Sequence, residues 1–170
     1  MKTIIVSIAI LFSLTVQAQV TKGSLQASGL TCSSCSKSIN KALQSLDFVD
    51  RVEANIKNSS FDIYFKPGQA IDFDKLKMKV DKAGFAVARF TATIHFDNVD
   101  VVNDNHVTID NTVYHFLNIK DQRLNGDKAV RLLDKGFVPP AEYKKNSSFT
   151  KIECYKTGME AGKRIFHVTI

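Results

Sequence analysis

The sequence predicts an α+β protein with a ferredoxin-like βαββαβ sandwich in its first half and a small β-rich α+β domain after it. Between residues 23 and 90, the spacing of apolar residues changes in the order strand, helix, strand, strand, helix, strand. Turn residues mark the changes, and about 70 residues suit this fold. From residue 91 onward, short alternating runs dominate, which favours a second unit rich in strands.

The elements of the first half follow from two periodicities. Leu25 and Ala27 alternate with polar neighbours as a strand, and a helix then buries Ile39, Ala42, Leu43 and Leu46 on one face. Alternation predicts a hairpin from two further strands, around residues 52–56 and 61–65, joined at Asn58-Ser59. Asp72 is a helix N-cap candidate and Gly84 a helix C-terminal glycine, so a second helix lies between them. Residues 85–90 supply the last strand.

The second half is predicted to contain strands at residues 91–96, 107–109 and 113–119. A helix is expected after Asp127, with Ala129, Leu132 and Leu133 facing inward and Gly136 as its end. Two more strands, about residues 149–155 and 164–170, then form a hairpin. The sequence gives this domain no role.

The first 18 residues have the pattern of a secretory signal. Lys2 precedes an apolar run from Ile4 to Val16, and Ala18 suits a signal peptidase. The run holds about 13 residues, whereas a membrane-spanning helix needs about 20, so we expect no stable membrane insertion. We therefore expect an exported protein, periplasmic or secreted, with domains at 19–90 and 91–170.

Composition excludes some partners. The formal net charge is +6, but no dense basic stripe with interleaved aromatic residues is present, so we expect no nucleic-acid partner. Three cysteines are too few for a disulfide-stapled mini-protein, and an odd number cannot all pair within one chain.

The strongest chemical signal is Cys32-Ser33-Ser34-Cys35, between a predicted strand and a predicted helix. The second cysteine falls in the first helical turn, where the partial positive charge of the helix N-terminus favours a thiolate. Two thiolates that face one point select a soft ion. Because two ligands half-fill a zinc site but suffice for Cu(I), we expect Cu(I), bound by Cys32 and Cys35.

Residues 23–90 resemble the heavy-metal-associated domain family of copper chaperones, copper-transporting ATPases and periplasmic mercury-binding proteins. The resemblance is carried by Gly29-Leu30-Thr31-Cys32-Ser33-Ser34-Cys35, by the helix sequence of residues 38–43 and by Ala83-Gly84-Phe85. Leu30 stands where the family usually has Met, and Asp47-Phe48 replaces a common Pro-Gly.

This resemblance implies that Cys32 and Cys35 bind the metal and that Thr31, Leu30 and Phe85 surround them. It implies transfer to a metal-transporting ATPase or exporter, or to another thiol-bearing metal carrier. Besides Cu(I), it allows Hg(II) or Zn(II). It also implies a carrier rather than an enzyme.

Two alternatives to metal binding remain for the cysteine pair. One is a simple disulfide, because an exported protein meets an oxidising compartment. The other is an exported thiol-disulfide oxidoreductase that uses the same pair. The oxidoreductase fold normally has an aromatic residue before the first cysteine and a proline facing the pair, and neither is evident here.

Cys154 is the remaining cysteine. Its simplest interpretation is a small buried thiol on a strand. A sharper hypothesis joins Cys154 to Met159 and His167 as a second soft-metal site across the final hairpin. Against this, His167 alternates with Phe166 and Val168 and is expected to be solvated, and His95, His106 and His115 show no ligand spacing.

Overall fold

A computed structural model describes residues 20–30 and 33–170. The predicted signal at residues 1–18 lies outside the described residues, as do Thr31 and Cys32. Within the described part of the chain, none of the helices combines the length and apolarity needed to cross a membrane.

The first half has the predicted element order. Its elements are β1 (Val20–Ser28), α1 (Ser33–Gln44), β2 (Val49–Asn55), β3 (Ser60–Phe65), α2 (Phe73–Lys82) and β4 (Ala86–Val101), with a 3-10 turn at Ile56–Asn58 between β2 and β3. The strands lie in the order β2-β3-β1-β4, and all neighbours are antiparallel. This is the ferredoxin-like arrangement, which confirms the predicted fold class.

Buried helical faces hold this sandwich together. In α1, Ile39 and Leu43 are fully buried one turn apart, as the spacing predicts. In α2, the Asp72 side chain accepts a hydrogen bond from the backbone N–H of Lys75 at 3.0 Å, and Leu76 and Val80 are fully buried.

The second half is rich in strands. Its elements are β5 (Asn105–Ile109), β6 (Thr112–Phe116), β7 (Gln122–Leu132), α3 (Pro140–Asn146), a 3-10 turn at Ser147–Phe149, α4 (Cys154–Thr157), β8 (Met159–Glu160) and β9 (Lys163–Thr169). The strands at 91–96, 107–109 and 164–170 are confirmed, the first as part of β4, and the strand predicted at 113–119 ends at Phe116. The hairpin predicted between 149–155 and 164–170 does not form, because β9 pairs with β6, β7 and β8.

Both halves share one sheet in the order β2-β3-β1-β4-β7-β9-β6-β5, and β8 pairs with β9 outside this order. β4 continues past residue 90 and pairs with β1 on one side and with β7 on the other. β6 and β9 are parallel, whereas the other paired strands are antiparallel. The division into domains 19–90 and 91–170 therefore stays a prediction about folding units, because the sheet is continuous at residue 90.

Two local predictions in the second half are wrong. The expected helix after Asp127 is the end of β7, in which Leu124, Val130 and Leu132 are buried. Burial alternates along β7, but Gly126 and Lys128 occupy two of the less exposed positions, so the strand lacks an apolar alternation in its sequence. The spacing of Ala129, Leu132 and Leu133 then imitates a helix, although Ala129 is exposed. The expected strand at 149–155 is a 3-10 turn followed by α4.

The two halves are also joined by side chains. Phe73 of α2 packs edge-on against Phe166 of β9, with ring centroids 5.1 Å apart. The Arg164 guanidinium donates to both carboxylate oxygens of Asp74 at 2.7 and 3.1 Å, and to Asp134 at 3.0 Å. These contacts tie α2 to the last strand.

Candidate metal centres

The thiol loop, residues 29–35, leads from β1 into α1. Cys35 is the third residue of α1 and is half-buried, so its sulfur lies in the first helical turn as predicted. Cys32 and Thr31 fall outside the described residues, and their predicted roles stay predictions. Gly29 adopts a φ of +78°, a conformation that glycine takes at no steric cost, and this turns the chain out of β1.

The electrostatic setting of Cys35 is that of a helix N-terminus. The first turn of α1 contains no acidic residue, so the helix N-terminus keeps its partial positive charge, and Lys37 lies exposed two residues further on. Cys35 is disulfide-bonded in this structure, which is the oxidised state of the thiol. Reduction must therefore precede any binding of metal by its sulfur.

Leu30 and Phe85 lie at the end of the sheet where the thiol loop begins. Ser28, the last residue of β1, pairs with Ala86, the first residue of β4, so Phe85 and the segment that leads to Leu30 lie at the same end of the sheet. Leu30 and Phe85 are both half-buried and pack against the main core. Their predicted contacts with a bound metal stay a prediction.

A second cluster of ligand atoms lies in the other half of the molecule. The Cys154 sulfur is 3.5 Å from His106 Nε2, 3.4 Å from His115 Nδ1 and 3.3 Å from His167 Nε2. We call these four residues the Cys–His cluster. The ligand atoms of His106, His115 and Cys154 lie within 4.8 Å of one another, as a metal site requires.

The cluster differs from the second site that the sequence suggested. Cys154 and His167 are in contact, but Met159 is 44% exposed and lies in β8. The expectation that His167 is solvated is wrong, because its side chain is fully buried. His167 does point away from the face of β9 that carries Phe166 and Val168. The face that carries His167 is also buried, because α4 packs over it through Cys154.

Strand register brings the three histidines together. His106 of β5 pairs with His115 of β6, and His115 pairs with His167 of β9, so the three side chains form a row across the sheet. Cys154, the first residue of α4, covers the middle of that row. Sequence reasoning missed His106 and His115 because their proximity to His167 depends on the parallel β6–β9 pairing, which no local spacing shows. The detectable signal was one histidine in each of three strands.

Each histidine of the cluster has a carboxylate on its outward ring nitrogen. His115 Nε2 lies 2.9 Å from Asp104 and His106 Nδ1 lies 3.0 Å from Glu160. His167 Nδ1 lies 3.0 Å from Asp134, which also accepts the backbone N–H of His167. These carboxylates fix the ring orientations.

Burial controls protonation in the cluster. Desolvation, followed by the negative charges of Glu160, Asp104 and Asp134, raises the pKa of Cys154 to about 11. Desolvation also lowers the pKa of His115, as do His167 and His106. Without a cation the cluster therefore holds a thiol and a neutral His115 at neutral pH, and a bound cation would favour the thiolate.

Comparison with protein families finds a match within the first half of the chain. Residues 24–86 match the model of the heavy-metal-associated domain, which confirms the resemblance for this segment. The matched segment runs from within β1 to the first residue of β4 and includes the thiol loop. It contains none of the four residues of the Cys–His cluster.

Individual relatives each match less than half of the chain. A protein of Arabidopsis thaliana described as a probable copper-transporting ATPase HMA5 is 26% identical over 84 residues, which is 49% of this chain but 8% of the plant protein. A copper binding domain from HMA7, a P-type ATPase, is 28% identical over 38% of this chain and 86% of that domain, with a TM-score of 0.35. Oxidized MerP from Ralstonia metallidurans CH34 is 21% identical over 41% of this chain and 96% of MerP, with a TM-score of 0.37. With scores this low, the fold assignment rests on the strand order itself.

Proposed function

We propose that this protein is an exported carrier of a soft metal ion, Cu(I) first, which it captures and passes on through the thiolates of Cys32 and Cys35. The observation that carries the proposal is the half-buried Cys35 in the first turn of α1, inside a segment that matches the heavy-metal-associated domain. The proposed activity is binding and ligand exchange, without catalysis.

The local electrostatics support this role. A thiolate at a helix N-terminus with no acidic neighbour in the first turn forms at lower pH than a free cysteine, so a metal ion competes better with protons there. Two sulfur ligands suit Cu(I), which accepts low coordination numbers, and they leave room for an incoming thiolate from a partner. Hg(II) and Zn(II) are the other candidates.

A partner with its own thiols would complete the cycle. The similarity to a protein described as a copper-transporting ATPase supports an ATPase or exporter, or another thiol-bearing carrier, as that partner. The signal-like residues 1–18 support export, so we propose a periplasmic or secreted location.

Titration of the reduced full chain with Cu(I), in competition with a chromogenic Cu(I) chelator, tests the proposal. We expect one tightly bound Cu(I) that is lost in Cys32→Ser and in Cys35→Ser. Cys154→Ser is the matched control, because it removes the one cysteine outside the thiol loop. Retention of tight Cu(I) binding in both thiol-loop variants would contradict the proposal.

A disulfide-reduction assay separates the oxidoreductase alternative from the carrier. A carrier gives no multiple turnover of a protein disulfide substrate in the presence of a thiol reductant, whereas an oxidoreductase turns over and loses this activity in Cys32→Ser. Efficient turnover of the disulfide combined with weak Cu(I) binding would show that the protein is an oxidoreductase and not a metal carrier.

A further inference from the structure

The Cys–His cluster has more hydrogen-bond acceptors than its own hydrogens can satisfy. Ionised carboxylates only accept hydrogen bonds, so the outward nitrogens of His106, His115 and His167 carry hydrogens toward Glu160, Asp104 and Asp134. In a neutral imidazole the other nitrogen is then a bare acceptor. Three such acceptors face one sulfur at 3.3–3.5 Å, although a thiol has a single hydrogen to donate.

A cation at the centre of the cluster satisfies these groups together. We propose that Cys154, His106, His115 and His167 form a second metal site that holds one Zn(II) as a resident ion. The three imidazole lone pairs and the sulfur then all bind the ion, and binding displaces the thiol proton to solvent. This proposal does not depend on the function proposed for the thiol loop.

The distances fit a tetrahedral ion. With typical Zn–S and Zn–N bonds of about 2.3 and 2.0–2.1 Å, tetrahedral angles place each nitrogen about 3.5–3.6 Å from the sulfur. The observed sulfur-to-nitrogen separations of 3.3–3.5 Å are close to these values. The set of ligand atoms that lie within 4.8 Å of one another comprises His106, His115 and Cys154 without His167, so the histidine rings must move toward the ion as it binds.

The surroundings also fit. Metal-binding histidines commonly donate their other ring N–H to a carboxylate, which orients the ring and makes it a better ligand, and all three histidines here have that partner. The three carboxylates and the thiolate supply negative charge for a divalent cation. Arg164 offsets part of that charge through its contact with Asp134.

Ligand type and burial select the ion and its role. One thiolate with three imidazoles is a borderline set of four, which suits Zn(II) better than the low-coordinate Cu(I) of the thiol loop. Cys154 is 2% exposed and His115 and His167 are fully buried, so an incoming partner thiol cannot reach the ion directly. His106, with 24% of its side chain exposed, marks the side of entry. The site therefore retains its ion, and the number of ions per chain rises from one to two.

Co(II) is the spectroscopic probe for this site. The full chain carrying Cys32→Ser and Cys35→Ser has Cys154 as its only thiol, so a thiolate-to-Co(II) charge-transfer band in this protein must come from the cluster. We expect one Co(II) per chain, with that band, with visible absorption typical of tetrahedral Co(II), and with displacement by one equivalent of Zn(II).

Further substitutions in the same background assign the ligands. Cys154→Ser should abolish the charge-transfer band, and His106→Gln should weaken Co(II) binding strongly. The matched control is His95→Gln, because His95 is also a strand histidine with a carboxylate partner, Asp127 at 2.7 Å, but lies outside the cluster. The control should bind as tightly as its parent.

Three results would overturn the proposal. They are a folded parent protein that binds no Co(II), a bound Co(II) without the thiolate band, and an equal loss of binding in His95→Gln and His106→Gln. If the cluster variants do not fold, the spectrum and stoichiometry of the parent alone decide the outcome.

Discussion

The thiol loop and the Cys–His cluster use similar atoms in opposite settings. Cys35 is half-buried at the start of a helix, and its predicted partner ligand is three residues away in sequence. The cluster is closed over by α4, and its ligands come from residues 106 to 167. A local, open pair suits an ion that must leave, whereas a distant, covered set suits an ion that stays.

The largest expected difference is in the rate of metal release. An ion in the cluster must wait for a local opening, and an opening that costs about 4 kcal/mol slows release about 1000-fold. We expect Cu(I) in the Cys154→Ser variant to reach a chelator at least that much faster than Zn(II) leaves the Cys32→Ser/Cys35→Ser variant. Stopped-flow chelator competition measures both rates, and equal rates would remove the proposed distinction between cargo and resident ion.

The next difference is in stability. Zn(II) at 100 times its dissociation constant should raise the free energy of unfolding by about 2.7 kcal/mol, because its ligands come together only in the folded chain. Cu(I) at the same relative concentration should raise it less, since two cysteines three residues apart also bind the ion in the unfolded chain. Denaturant unfolding with and without each ion tests this, with Cys154→Ser as the variant that should not respond to Zn(II).

A smaller effect is expected from the carboxylate behind His167. Asp134→Asn should weaken Zn(II) binding about 10–100-fold while leaving Cu(I) binding at the thiol loop unchanged. Asp127→Asn, at the exposed His95, is the control and should change neither affinity. Competition with a fluorescent Zn(II) chelator measures the Zn(II) affinity of each variant. A loss of Cu(I) affinity in Asp134→Asn would mean that the two centres are not separate.

The smallest effect is a dependence on pH. In the metal-free protein the raised pKa of Cys154, about 11, keeps the thiol protonated at neutral pH, so each Zn(II) releases one proton. Lowering the pH from 9 to 8 should therefore weaken apparent Zn(II) affinity about tenfold. Calorimetry in buffers of different ionisation enthalpy counts the protons. A release of zero protons at pH 8 would show that Cys154 is not a ligand.

The sequence predicted the first half well because its information is local. Periodicity located α1 and α2, and the Asp72 cap and Gly84 marked the ends of α2. The same reasoning gave wrong predictions in the second half, where the structure depends on pairing between strands that are far apart in sequence. Gly126 and Lys128 at less exposed positions made the sequence of β7 resemble a helix. The face of β9 that carries His167 is buried by α4, whose first two residues the sequence had placed at the end of a strand. The row of histidines across β5, β6 and β9 can be recognised only once the strand order is known.

One feature of the sheet bears on how a partner approaches. β4 is a single strand of 16 residues that begins beside the thiol loop and pairs with β1 in its first part and β7 in its later part. Arg164 also links the last strand to α2 through its ion pair with Asp74. The second half is thus held in one fixed orientation relative to the first. If the thiol loop passes its ion to a partner as proposed, that partner would have to accommodate the second half of the chain in this one orientation, and the fit would help to determine which protein receives the ion.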